Sequence, residues 1–390
     1  MKPRLHCARL ALFLCGCAAF LNLYATQSIL QTFAAQFQIS AKAAGWSITV
    51  TTLAVAITAP FVGRLTGRFE QRTVICVAAL LLAVPALMTA YADSFTEVLV
   101  WRFVEGMVIP VVFATSVAYI GDRWSGGTVT EVTSLYVAGT VLGGFAGRFV
   151  TGVMTEYVGW REAFELLAAL SLMVGGFIQF LLPVSRARTV PLATVSSGSS
   201  GTFRQPLLAA YAVGFCVLFS QVAAFTYVGF YLGLPPFNLG PAALGTLYMV
   251  FLLALIVIPI AGRLSKARPH GELLTVAVML GITGTLLTLV PTLWCIVLGL
   301  ALSSTGVFLA QAAANAFTTA NAGDNKAGAI GIYLTCYYLG GSCGAIVPAL
   351  IWERWGWAGC VGLIVVFQLM TLLIALVGWK PVKPALVSVP

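Results

Sequence analysis

Apolar residues run in long blocks along this chain, each closed by a short polar or charged interruption. The blocks lie near 8–35, 43–63, 73–92, 95–120, 130–157, 161–183, 206–232, 241–263, 272–290, 292–319, 327–352 and 358–379. A helix crossing a hydrocarbon layer needs about 20 such residues. In lipid the block has to be helical, because no water is there to satisfy its backbone groups. The pattern therefore predicts twelve transmembrane helices and an all-α membrane protein. One interruption is longer than the rest, from Pro183 to Gln205. It holds Arg186, Arg188 and the run Ser196-Ser197-Gly198-Ser199-Ser200-Gly201, the composition of a flexible linker. It divides the chain into a six-helix bundle over 1–183, a linker over 184–205 and a second six-helix bundle over 206–390.

Composition agrees. Of 390 residues, 60% are hydrophobic and 8% charged, against about 25% charged in soluble domains. A water-soluble enzyme and a disordered chain are excluded. The formal charge of +9 would suggest nucleic acid in a soluble protein, but loops on one membrane face collect Lys and Arg. With both termini cytoplasmic, sixteen basic residues fall on the cytoplasmic side and three (Lys42, Arg161 and Arg354) on the other. Two more, Arg102 and Arg148, fall within spans. This bias predicts cytoplasmic termini and an even number of spans. Lys2 and Arg4 ahead of an apolar run imitate a signal peptide, but the run continues through Asn22, Tyr24 and Gln27 with no cleavage pattern, so it reads as the first span. The nine cysteines lie almost all inside apolar runs without metal spacing, and His6 and His270 are the sole histidines. No metal or cofactor is expected, nor a phosphate loop or nucleophile elbow.

The two halves carry one pattern twice. Residues 142–160 and 339–357 coincide at Leu142/Leu339, Gly143/Gly340, Gly144/Gly341, Gly147/Gly344, Val150/Val347, Glu156/Glu353, Gly159/Gly356 and Trp160/Trp357, which lays span 5 over span 11. Gly63-Arg64-Leu65 after span 2 is echoed by Gly262-Arg263-Leu264 after span 8. Six spans return the chain to the same side, so the repeat is parallel, as in transporters that hold their substrate between two halves. The glycines allow close helix approach, for packing or for sliding.

At this point the chain resembles the major facilitator superfamily over nearly its whole length. Gly63 to Arg72 is similar to the family's loop between spans 2 and 3: Gly63, Leu65, Arg68 and Arg72 match, whereas Gly67 stands for an Asp and Glu70 for a Gly. Glu70 or Asp122 is the expected substitute in that loop's charge relay. Arg102-Phe103-Val104-Glu105-Gly106 resembles the span 4 motif whose arginine is linked to proton coupling. Gly139 to Arg148 resembles the glycine-rich antiporter signature, with Gly144 for a Pro and Arg148 for the final Gly. The resemblance points to the bacterial drug and metabolite efflux branch, near the arabinose-efflux-permease-like group. It implies alternating access driven by a proton gradient, with spans 1, 4, 7 and 10 lining the path.

A charge at the bilayer centre costs about 2.5–3.5 kcal/mol and usually marks function or a partner. At 1.5 Å per residue Arg102 lies roughly 10 Å deep, Glu105 roughly 15 Å and Arg148 about 12 Å, so the three are expected to meet. Glu105 is the expected proton carrier, tuned by Arg102 and Arg148. The expected substrate lining is Tyr24, Gln27, Gln221, Gln311, Asn315 and Tyr337, drawn from a wider polar set with Asn22, Tyr227, Tyr333 and Tyr338. The expected gating and packing residues are Gly63, Arg68, Arg72, Asp122, Gly143, Gly144, Gly147, Gly340, Gly341 and Gly344. The function expected is proton-coupled efflux of a small amphipathic or neutral solute by a monomer whose partners are solute, protons and lipid. The alternatives are a symporter or uniporter for a sugar, amino acid or organic anion, and a lipid flippase. A transport-dead sensor or a channel-like pore is the reading from another class.

Overall fold

The computed structural model describes residues 2–183, 205–323 and 326–379. The linker expected at 184–205 lies outside the described residues, except for Gln205. In chain order the helices are α1 (Lys2–Leu23), α2 (Leu30–Gln36), α3 (Ala41–Thr58), α4 (Val62–Thr66), α5 (Gln71–Leu81), α6 (Ala83–Ala90), α7 (Phe95–Arg123), α8 (Gly127–Tyr157) and α9 (Trp160–Leu181). They continue as α10 (Gln205–Leu232), α11 (Pro241–Leu247), α12 (Ala254–Ala267), α13 (His270–Leu287), α14 (Leu293–Asn321), α15 (Lys326–Ile346) and α16 (Ala349–Gly378). Among the described residues there is no strand. Eleven helical stretches are long and apolar enough to cross a membrane, and a shorter apolar helix spans Cys7–Leu23.

Local chemistry sets several helix starts. Ser40 Oγ accepts from Ala43 N (3.1 Å) at the head of α3. Ser94 Oγ accepts from Glu97 N (3.2 Å) at the head of α7, and Glu97 reaches back to Asp93 N (2.9 Å). Each cap satisfies amide donors that the first helical turn leaves free.

The duplicated glycines bring backbones together in both copies. A Cβ on Gly143 or Gly147 of α8 would collide with the α1 backbone at Cys17 and Leu21. A Cβ on Gly340 or Gly344 of α15 would collide with the α10 backbone at Phe215 and Phe219. These four therefore sit where a side chain would have no room between the helices. Gly144 and Gly341 differ: a Cβ on the first would meet Arg148 Nη1 (3.4 Å), and on the second the Leu218 side chain. Gly159 and Gly356 both take positive φ (141° and 56°), the first at the joint between α8 and α9 and the second at a kink inside α16.

Among the helix breaks that escape the hydropathy pattern, two bear on the site. The block 327–352 is continuous in apolarity, yet α15 stops at Ile346 and α16 begins at Ala349. Pro348 between them has no N–H to carry the ladder on. The first block breaks at Tyr24–Ile29, where a single 3₁₀ turn (Ala25–Ser28) separates α1 from α2. The α2 side is anchored by rings: Phe33 packs edge-on to Trp160 (5.2 Å) and Phe95 (6.1 Å).

Residues 2–183 meet residues 205–379 at one end of the bundle. That end is formed by the C-termini of α1, α8, α10 and α15 and the N-termini of α3 and α11. Thr49 Oγ1 donates to Ser342 O (3.0 Å), and the hydroxyls of Thr52 and Ser342 share a bond (2.8 Å). Ala242 N donates to Glu156 (2.8 Å), and a Cβ on Gly152 would strike Pro241 O. The contacts α3–α15 and α11–α8 exchange under the internal repeat, which maps span 2 on span 8 and span 5 on span 11.

Candidate functional site

The break in α1 is the centre of the polar interior. Tyr24 and Ile29, which flank it, both have φ near −120°. Thr26 and Ser28 inside it are residues whose hydroxyls compete for backbone partners. Unwinding frees carbonyls that need partners inside a bilayer. Tyr24 O accepts from Gln27 N (3.0 Å) and Thr26 O from Ile29 N (3.1 Å). The last two carbonyls of α1 are taken by a side chain: Arg102 Nη1 donates to Asn22 O (2.9 Å) and Nη2 to Leu23 O (2.8 Å). A cation at a helix C-terminus also faces the negative end of its dipole.

Arg102 pairs with Glu105 through the same Nη1, both side chains 0% exposed. Glu105 Oε1 is buried with no hydrogen-bond partner. Removing one member of a buried pair typically costs about 3–5 kcal/mol, so the two stand together.

Arg148 does not join them, against expectation. It sits on the far side of the break, 5% exposed. Its Nε donates to Gln27 Oε1 (2.8 Å) and its Nη1 to Gly144 O (2.5 Å). Its backbone carbonyl accepts from Ser28 Oγ (2.8 Å). The guanidinium carbon lies 4.5 Å from the Tyr24 ring, 4.8 Å from Tyr248 and 5.1 Å from Phe251. Among the described residues it pairs with no acid. Each ring contributes about 0.5–2 kcal/mol, against roughly 2.5–3.5 kcal/mol for a charge at this depth, so the rings and two carbonyl-type acceptors suffice to hold it. The reason for the separation is topological: α7 and α8 both pack on α1 but little on each other, so equal depth did not mean proximity.

The remaining expected residues divide. Gln27 links the turn after α1 to α10 and α8, since its Nε2 donates to Thr226 Oγ1 (3.1 Å) while its Oε1 holds Arg148. Asn22 donates to Ser171 Oγ (2.9 Å). Tyr24 is buried in the Arg148 cage and its hydroxyl has no partner. Tyr337 stacks on Tyr333 (6.0 Å) and meets Tyr338 edge-on (5.5 Å), and the Tyr333 hydroxyl is likewise unpartnered. Tyr227 donates to Ala345 O (2.9 Å), a bond between helices. Gln221 is buried in α10. On α14, Gln311 is half-buried and Asn315 exposed, one and two turns beyond Phe308, whose ring meets Phe251 (5.8 Å).

The loop relay takes another form than expected. Glu70 accepts from Thr73 Oγ1 (2.9 Å), Asp122 accepts from Gln71 Nε2 (2.8 Å), and Arg72 donates to Gln179 O (2.7 Å). Arg68 is exposed and has no such partner among the described residues, and a Cβ on Gly63 would meet open space. Among the described residues neither Glu70 nor Asp122 forms an ion pair with an arginine. Tyr248 and Phe251 were not anticipated: they lie in the 3₁₀ turn Tyr248–Leu253, inside an apolar run that gives them no local mark.

Comparison with known proteins follows the same lines. The profile of the Major Facilitator Superfamily matches residues 12–345. An uncharacterized MFS-type transporter, YybF of Bacillus subtilis (strain 168), is 28% identical over 366 residues, covering 93% of this chain and 91% of that one. The inner membrane transport protein YnfM of Escherichia coli (strain K12) is 28% identical over 379 residues, covering 95% and 90%. Among solved structures, a bacterial homolog of the human lysosomal transporter Spinster, inward-facing and occupied, superposes with a TM-score of 0.79 at 14% identity, covering 99% of this chain and 100% of that one.

Proposed function

The chain belongs to the Major Facilitator Superfamily, and from that premise we propose that it is a proton-coupled exporter of a small amphipathic solute. It works across a bacterial inner membrane, with α1 as the first of twelve spans and both termini cytoplasmic. The rocking units are the six-helix halves 1–183 and 206–390.

The observation that carries the coupling is the Arg102–Glu105 pair, fully buried, with one carboxylate oxygen unpartnered. A proton on Glu105 removes the negative partner of Arg102. The same guanidinium holds Asn22 O and Leu23 O at the break in α1. Proton occupancy is thereby tied to how firmly α1 is held beside Gln27, the residue that joins the halves. Asn22, Tyr24, Gln27 and Tyr337 then lie where a solute between the halves would be sensed, with Gln221 on the facing helix.

The test is proton flux in everted vesicles. Solute added to vesicles with an acidified lumen should alkalinise the lumen in the native protein. Glu105→Gln should abolish that signal while leaving folded protein in the membrane and solute exchange intact. Unchanged alkalinisation in the variant removes Glu105 from the role.

A further inference from the structure

We propose that Arg148 is the counter-ion for a carboxylate on the transported solute, which makes the cargo an organic monoanion with an apolar, ring-sized body. This rests on the transporter reading and adds the chemical class that reading leaves open. It replaces the neutral solute expected from the polar side chains alone.

Charge balance is the first ground. Arg102 and Glu105 cancel within their own pair, so Arg148 is an uncompensated charge beside the break in α1. Of its five N–H donors, two are committed, to Gln27 Oε1 and Gly144 O. Among the described residues Nη2 has no hydrogen-bond partner, and it is not one of the atoms buried without one. A guanidinium with a free edge suits the planar oxygens of a carboxylate.

Placement is the second ground. The cage is shared between the halves: Tyr24, Gln27 and Arg148 come from the first, Tyr248 and Phe251 from the second. The Gly245 backbone abuts Arg148 O and Gln27 is bonded to Thr226, so the halves close on this point. An ion held here would be gripped by both and released when they part. The Tyr24 hydroxyl is a buried, unpartnered donor in the same cage. The aromatic faces around Arg148 would cover an apolar body and leave its charge to the arginine.

The measurement is thermal stabilisation of the full-length purified protein in detergent, without a gradient. The probes are aryl carboxylates (benzoate, indole-3-acetate, cinnamate), each beside its own carboxamide, at millimolar concentration. Carboxylates should raise the melting temperature saturably and the amides should not. Arg148→Gln should weaken the apparent affinity roughly 10- to 100-fold, the range expected for losing a hydrogen bond to a charged group. Arg148→Lys, which keeps the charge and loses the fork, should fall between. Because ligand selectivity is read first on the native protein, failure of a variant to fold leaves the result readable. Equal stabilisation by acid and amide, preference for arylammonium ions, or no carboxylate-specific shift overturns the proposal. Because no proton gradient enters, carboxylate binding can succeed where the Glu105→Gln flux test fails, and the reverse.

Discussion

Gln27 uses both ends of its amide, one on Arg148 and one on Thr226. Gln27→Leu leaves a buried guanidinium N–H and a hydroxyl without partners, at about 1–3 kcal/mol for each unsatisfied group. The expected outcome is a clear drop in melting temperature of the ligand-free protein. Tyr24 gives the opposite sign. Its hydroxyl is buried and unpartnered, so Tyr24→Phe should leave the ligand-free melting temperature unchanged or raise it, at a scale of about 1 kcal/mol. If that variant melts well below the native protein, the hydroxyl has a partner in the resting state. Both residues were legible in the sequence as polar side chains inside an apolar run. The sign of each was not, because it depends on whether a helix from the other half brings a partner.

At the scale of helices, the repeated glycines separate packing from local freedom. Gly147→Val puts atoms into the Leu21 carbonyl, and Gly340→Val does the same at Phe215. Overpacking of this kind costs about 1–3 kcal/mol, so both variants should lose stability to a similar degree in a melting assay. Gly63→Ala should be silent in the same assay, since a Cβ there meets open space. Periodicity located most helix ends within a few residues, because the cost of exposing backbone to lipid is paid residue by residue along the chain. It missed the turn in α1 and the break after Ile346, where the unwound backbone is repaired by distant groups. Arg102 lies about eighty positions from the carbonyls it caps, and no window along the chain contains both.

Across the whole molecule, the contacts α3–α15 and α8–α11 lock one end of the bundle. Thr52 and Ser342 share a hydroxyl bond across it. Cysteines at these two positions, in a background with Cys343 replaced by Ser, should form a disulfide on oxidation and stop transport, and a reductant should restore it. Transport that continues with the crosslink fully formed would show that this end does not need to open. Much of this molecule was committed before any tertiary contact. Its membrane setting, all-helical character, internal repeat and family follow from hydropathy, basic-residue counts and short motifs, all of which act locally along the chain. Packing alone decided which buried charges meet. Equal depth suggested one cluster of Arg102, Glu105 and Arg148, and the interposed α1 made two: a neutral pair on one side of its break and an uncompensated, ring-caged arginine on the other. Electrostatic partnership falls off with distance in three dimensions, and depth along a helix measures only one of them.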